Sequence, residues 1–542
     1  MANEYDSDGR LVKVTDQVGN ATRYEYDSEG RRAKIIDPAG NETGYKYDEG
    51  GSSGCSTCPL SAAQGKPSQI IYPTYTKKIG YDPLGRVTKE IDMLDATTSY
   101  ETEYSYDKSG NLIRKIDAEG KATTNESDSF SRLTKVIDAA NGVTRYGYDM
   151  RGNLVSVTDP ENHTTGFAYD KNGQKVKETR PIGQAVTYTY DPAGNLSTIV
   201  DAKEQMIAYE YDKTGRMIKA SYYSASDHTT PVKTVAFGYD EMGNLISYND
   251  SMTSATYEYN DLSRKTDETV NYGAFSLSYS YEYNADGTKK SFTGTDGVTY
   301  SYMYNKGQVS SINIPGVGDI SYDNYRWQAP TKVNYPGGTV REVDYDPLMR
   351  LKKIQTKDAL DKTVMNYEYS RDKVGNIVRK TTEHGDYSYA YDNLYQLLAA
   401  DNPKMADEAY AYDKVGNRIS DSSQPGDWDY NDNNQLTRYD GISFVYDENG
   451  NTIQKNDNGV ITKYFYNVED RLDRVEDGVG MVVATYYYDP MGRRLKKDIG
   501  GVVSYYYYSD EGLIGEYDVS GDEIKTYGYK PTSIWMAGLV FI

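Results

Sequence analysis

Polar and apolar positions alternate over short stretches of this chain. In Thr22-Arg23-Tyr24-Glu25-Tyr26, Thr22, Tyr24 and Tyr26 share one parity and Arg23 and Glu25 the other. A period of two, with β-branched and aromatic residues on one side, predicts a half-buried β-strand. The same face recurs at Thr43, Tyr45 and Tyr47, at Thr144, Tyr146 and Tyr148, at Thr165, Phe167 and Tyr169, and at Val186, Tyr188 and Tyr190. Each stretch runs into an Asp with Gly three residues on, as in Asp27-Ser28-Glu29-Gly30, the chemistry of a type I turn. The Asp carboxylate is suited to accept backbone N–H groups further along such a turn. A return strand, Arg31 to Ile36, leads to a second turn of the same kind, Asp37-Pro38-Ala39-Gly40. Leu recurs five positions after the first Asp (Leu11, Leu112, Leu133, Leu154, Leu196) and another apolar residue eight after it (Val14, Ile35, Val136, Val157, Ile199). These positions differ in parity, so the return strand must carry a bulge or bury both faces. No extended stretch has a 3.6-residue period with caps, so helix content is expected to be low.

The unit repeats. Asp107, Asp128, Asp149, Asp170, Asp191 and Asp212 stand 21 residues apart, each within some form of Tyr-Asp-x-x-Gly-(Asn/Arg)-Leu, as in Tyr148 to Leu154 and Tyr190 to Leu196. A fixed period over most of a chain predicts a repeat architecture. Two turns per unit make it all-β, a long antiparallel meander read as one continuous body. Within that body, residues 1–50 are regular repeats. Residues 51–80 are a loop insertion rich in Gly and Ser, holding Cys55 and Cys58. Residues 81–220 are regular again. Across 221–345 the repeats degenerate, and Tyr259-Asn260, Tyr283-Asn284 and Tyr304-Asn305 replace Tyr-Asp. Residues 346–532 return to the signature at Tyr412-Asp413, Tyr446-Asp447 and Tyr488-Asp489. The apolar residues 533–542 are expected to form a truncated strand with an association-prone edge.

Composition refines this picture. The hydrophobic fraction, 37%, is low, but 58 Tyr supply rings that bury area while their hydroxyls stay solvated or bonded. That suits a thin or hollow body. The formal net charge of −21 argues against nucleic acid, polyanionic sugars and anionic lipid as partners. No signal peptide is visible at the N-terminus, and no stretch is long enough to span a bilayer. Cys55 and Cys58 have no second ligand pair for zinc and no βαβ surrounding for redox work, leaving a local disulfide or free thiols. His163, His228 and His384 sit in polar, turn-like stretches without a partner at metal or base spacing and read as exposed loop residues. Asn431 to Asn434 reads as a solvated loop. With no HExxH, GxSxG or phosphate-binding loop, no catalytic, cofactor-binding or metal-binding residue is expected, and no cofactor.

The in-phase Tyr-Asp signature resembles the YD-repeat, or Rhs (rearrangement hot spot), family, which includes bacterial Rhs toxins, the C components of insecticidal toxin complexes and the teneurin adhesion proteins. The resemblance covers nearly the whole chain. Residues Tyr505 to Tyr529, with Glu511-Gly512-Leu513-Ile514-Gly515-Glu516-Tyr517-Asp518, are similar to the approach to the family's core. The resemblance implies a β-strip spiralling into a hollow, here partly open, shell. In toxin members such a shell encloses a variable C-terminal toxic polypeptide released by Asp-dependent self-cleavage. This chain stops at Ile542, before the cleavage region, and Asp489-Pro490-Met491-Gly492 reads as an ordinary turn, so protease activity is not carried over.

Three functions compete at this stage. The first is a non-catalytic structural shell segment, secreted or at the cell surface, whose partner is an enclosed toxin polypeptide or the C-terminal core of the same protein. The second is an adhesin or carbohydrate-binding module whose Tyr rows stack on a glycan or meet a surface receptor. The third, a polysaccharide-cleaving enzyme, needs two isolated carboxylates in a cleft, and no pair stands out from the turn background.

Overall fold

The computed structural model describes residues 1–47, 65–424, 426, 428–531 and 539–541. Among them the fold is all-β, strand following strand, with one 3-10 turn at Pro336–Gly338 and no α-helix. Within each of three sheets, strands pair antiparallel with their neighbours in sequence, as Val143–Tyr148 does with Leu154–Thr158 and that strand with Thr164–Tyr169. Strand residues are mostly half-buried, as the alternation requires.

The predicted bulge is present. Gly147 pairs with Ser156 and Tyr148 with Leu154, so Val155 is the extra residue. The same shift occurs at Tyr26 and Arg32, and at Tyr190 and Leu196. One inserted residue reconciles the parity of Leu154 with that of Val157.

The turns are type I turns closed by a left-handed residue. Gly152 N–H donates to the Asp149 carbonyl at 3.1 Å, and Gly152 has φ +91°. Only glycine takes that conformation without cost. Asp149 Oδ1 accepts the N–H groups of Arg151 and Asn153, both at 2.9 Å, and its Oδ2 accepts the Asn153 side-chain amide at 2.9 Å. Arg serves equally well: Arg31 Nε donates to Asp27 Oδ2 at 2.7 Å. The Asn/Arg of the signature is therefore the far jaw of a clamp on the turn Asp.

The signature Tyr has its own task. Tyr211 OH donates to the carbonyl of Leu196 at 2.9 Å, the residue that flanks the preceding repeat's bulge. Tyr190 does the same to Lys175, Tyr259 to Leu245 and Tyr283 to Lys265. The Arg of the clamp also reaches forward: Arg31 lies 4.4 Å from the Tyr47 ring centre, and Arg216 Nη1 donates to the Asp240 carbonyl. Each repeat is thus completed by the next.

One expectation needs correction. The insertion is shorter than 51–80: Pro67–Ile71 and Thr76–Tyr81 are paired strands, where Ile70, Ile71 and Ile79 supply the apolar residues of a hairpin closed at Tyr72 and Tyr75. Cys55 and Cys58 lie outside the described residues. By packing, the chain groups into two compact units, one of residues 1–144, 284–288 and 301–410, the other of 145–283, 289–300 and 411–542. In the first, buried apolar side chains gather at Val309, Ile312, Ile320, Tyr322 and Val333. In the second, Tyr248, Tyr257, Val270, Tyr279, Tyr281, Leu495, Tyr507 and Tyr517 form an aromatic core. Leu539–Phe541 pairs with Gly528–Tyr529.

Candidate functional site: a seam of turns

Within each unit, turns from distant parts of the sequence meet. In the first unit, Tyr395 OH donates to Asp117 Oδ2, Lys121 Nζ to Asn393 Oδ1, and Lys373 N–H to Glu119 Oε1 at 2.8 Å. In the second, Lys414 N–H donates to Glu161, Asn433 Nδ2 to Gln184, and Arg180 Nη1 to the Asn449 carbonyl. Asn449 is a node: its Oδ1 accepts Ala202 N–H at 3.0 Å and its Nδ2 donates to Asp201 and Asp470. Apart from Asp470, which lies 21 residues from Asn449, the partners are separated by 247 to 278 residues. The arrangement is regular. The second turn of an early repeat receives the Tyr-Asp turn of a later one.

Several sequence readings change here. His163 is half-buried, not exposed; it fills the clamp position of the turn at Asp159, with Nδ1 3.3 Å from Asp159 and Nε2 3.6 Å from Asp432. His228 is exposed but bonded to the Glu204 carbonyl, and His384 is exposed beside Glu383. Asn431 to Asn434 is not a solvated loop: Asn433 and Asn434 reach Gln184 and Asp159. Three of these turns lack Gly at the fourth position. Tyr395, Asn434 and Asp470 stand there with φ of +64°, +61° and +55°, and they meet Asp117, Asp159 and Lys203 across the seam. Left-handed backbone costs a non-glycine residue roughly 1–2 kcal/mol, so such a residue is retained for what its side chain does. Met349, at φ +61°, is a control. Met349→Gly is expected to stabilise the protein by about 1 kcal/mol, whereas Tyr395→Gly, relieved of the same strain, is expected to give no gain or a loss because Asp117 forfeits its donor. Urea midpoints of the two variants measure this.

In the second unit the seam deepens into buried charge. Lys233 bonds Glu469 at 2.8 Å and lies 3.6 Å from Asp250 Oδ2, which also accepts Tyr487 OH. Glu268, 1% exposed, accepts Lys265 Nζ at 2.7 Å and Tyr279 OH at 2.6 Å, with Arg493 at 3.6 Å. Arg493 clamps Asp489, which is fully buried. Glu511 accepts Tyr281 OH, Ser509 Oγ and Lys289. A cavity of about 460 Å3 opens beside Lys265, Glu268, Arg493 and Asp510. Burial alone would lower the Lys265 ammonium, but the carboxylates of Glu268 and Asp510 outweigh it and hold it above its usual value. Burial, then the neighbouring Glu268, pushes Tyr279 and Tyr507 well above an ordinary phenol, and Glu511 adds to burial at Tyr281. Every cation here faces a carboxylate, and the tyrosines are kept protonated. The cluster holds segments together.

These shifts set an alkaline limit. Groups whose folded values lie above their unfolded ones stabilise the fold fully below the unfolded value, about 10 for Tyr and 10.4 for Lys, and lose that contribution as pH rises through the folded values. Absorbance at 295 nm should show exposed tyrosines ionising near pH 10 and the buried set ionising only above it, in one step with loss of β-sheet circular dichroism. A single smooth phenolic titration on intact protein would contradict the burial described.

Among the described residues no group of three His, Cys, Asp or Glu is placed to hold a metal ion, and no helix is long and apolar enough to cross a membrane. Asp489-Pro490-Met491-Gly492 has ordinary turn geometry, Gly492 N–H donating to the Asp489 carbonyl at 3.0 Å.

A family model, the teneurin YD-shell, matches residues 72–224 and 339–530, more than half of the chain. The chain belongs to the teneurin YD-shell family. An RHS repeat model also matches residues 5–42. A sequence search of curated proteins gives no match. Among solved structures, the crystal structure of TcdB2-TccC3 superposes with a TM-score of 0.52 at 13% identity, covering 99% of this chain and 41% of that one. The Photorhabdus luminescens Tc holotoxin pore carrying TccC3-D651A gives 0.55 at 14% identity, covering 99% and 34%. At such identities the likeness is one of fold. This YD-shell chain spans about two fifths or less of the chains it superposes on.

Proposed function

We propose that this YD-shell chain works as a non-catalytic wall that encloses a polypeptide, in a secreted or surface-exposed protein. The enclosed partner is a toxin-like segment or the C-terminal part of the same protein. The observation that carries this reading is the seam: side chains join segments more than two hundred residues apart, a use of binding energy that makes a container and no reaction centre. The polar groups at its deepest point are spent on one another. Structures that the chain superposes on include TcdB2-TccC3 without its hypervariable C-terminal region, an assembly in which such a region is named as a separable part. The glycan reading rested on rows of free tyrosines, and signature hydroxyls such as those of Tyr190, Tyr211 and Tyr259 are bonded to backbone carbonyls instead. The test is protection. An unstructured, trypsin-sensitive polypeptide of about 100 residues, an ordinary small-domain length, is fused after Ile542 and digested alone and in the fusion. Enclosure predicts survival at trypsin levels that destroy the free polypeptide, and loss of protection when the seam is opened by Glu268→Ala. Equal digestion rates would reject the proposal.

A further inference from the structure

Two acceptors on the seam of the second unit are buried beside one cavity without a donor. Gln205 Oε1 and Glu469 Oε1 meet no hydrogen-bond partner among the described residues. The Glu469 side chain is only 3% exposed, and Lys233 holds its other oxygen at 2.8 Å. Arg471 Nη1 stands 3.7 Å from the free oxygen, too far for a hydrogen bond. Buried acceptors left without a donor are few in folded chains, and each calls for an explanation. Gln205 and Glu469 both line a cavity of about 220 Å3, whose aliphatic walls are Val186, Ile199 and Ile207 from early repeats and Val468 from a later turn.

The lining decides what kind of partner fits. A water molecule has two hydrogens to give, but the cavity is roughly seven times water's share of the liquid, about 30 Å3. Four aliphatic side chains offer further waters nothing to bond. An anion is disfavoured by Asp201, Glu469 and Asp470, against which the lining sets Arg180, whose Nη1 is committed to the Asn449 carbonyl. Among the described residues no group of three His, Cys, Asp or Glu is placed for a metal ion. A neutral alcohol donates a single hydrogen. A primary ammonium donates three and carries the sign of charge that carboxylates favour, and an alkyl chain behind it suits the aliphatic walls.

We propose that this cavity is a binding site for a primary alkylammonium group, carried by a small amine or by the lysine side chain of a polypeptide. The ammonium donates to Gln205 Oε1 and Glu469 Oε1, and the alkyl chain lies against Ile199, Ile207 and Val468. The two acceptors stand more than two hundred residues apart, so the ligand ties the two sides of the seam together. The site is independent of the enclosing role: a free amine binds whether or not a polypeptide is enclosed.

Titration of the full chain with n-butylamine at about pH 7, where an alkylammonium is protonated, tests this. A saturable rise in melting temperature is expected, since a ligand that binds only the folded state stabilises it. Butanol, with one donor and no charge, and butyltrimethylammonium, with the charge and no N–H, should give none. In protein methyl-labelled at isoleucine, butylamine should shift the Ile199 and Ile207 signals. Gln205→Leu removes one acceptor and should weaken butylamine binding about tenfold or more, the weight of a hydrogen bond to a charged group. Unchanged circular dichroism confirms folding of the variant. A short capped peptide with one lysine, compared with its acetyl-lysine form, separates the sources. Binding of the lysine form and not the acetylated one assigns the site to a polypeptide side chain, and binding of butylamine but of neither peptide assigns it to small amines. A cavity that holds water alone gives no saturable effect of butylamine, and that result overturns the proposal. So do equal effects of butanol or butyltrimethylammonium, or an affinity that Gln205→Leu leaves unchanged.

Discussion

Glu268→Ala is expected to destabilise the second unit by about 3–5 kcal/mol, the usual cost of removing one partner from a buried ion pair. The reason lies in what stays behind. Lys265, buried under the Tyr257 and Tyr279 rings, keeps only Asp510, whose side chain is half exposed. Tyr279 OH loses its acceptor inside the aromatic core. Arg493 keeps Asp489 but loses the second carboxylate that balances it. Glu268→Gln retains the shape and an acceptor for Tyr279, so a smaller loss is expected. The two variants, compared by thermal and urea unfolding, separate charge from packing. If alanine and glutamine are equally mild, the cluster contributes no net pairing energy. A double-mutant cycle with Lys265→Met would then show no coupling.

Tyr507→Ala should be comparably severe, about 3–5 kcal/mol, as for a large aromatic residue deleted from a close-packed core. Its ring is 1% exposed, 5.5 Å from that of Tyr279, and its hydroxyl donates to the Glu268 backbone carbonyl from 239 residues away. Tyr507→Phe isolates that bond and should cost about 1 kcal/mol. Alanine at Tyr146, half-buried on a regular strand, should cost far less than Tyr507→Ala, because less of its ring is removed from water. Equal effects at Tyr507 and Tyr146 would mean that the aromatic core has no special weight.

Local rules carried the sequence reading as far as single repeats. Thr22, Tyr24 and Tyr26 gave the strand, Asp27 and Gly30 the turn, and the parity of Leu154 against Val157 the bulge, because each depends on residues within one hairpin. The in-phase signature carried the family. What escaped was set by residues far apart. Nothing near Asn433 announces Gln184, and nothing near Glu268 announces Arg493. The division into two units has the same origin, since each gathers stretches that are remote along the chain. His163 was misjudged because its role as a clamp is visible only once Asp159 is known to head a turn.

The bond from each signature Tyr to the carbonyl behind it gives the molecule a direction. A hairpin finished ahead of its successor keeps one open acceptor, and the following 21 residues close it, as Tyr211 closes Leu196. A chain emerging from the ribosome therefore meets its missing donor in the order of translation. Closure of neighbouring repeats follows the chain, while the seam waits for segments more than two hundred residues further on.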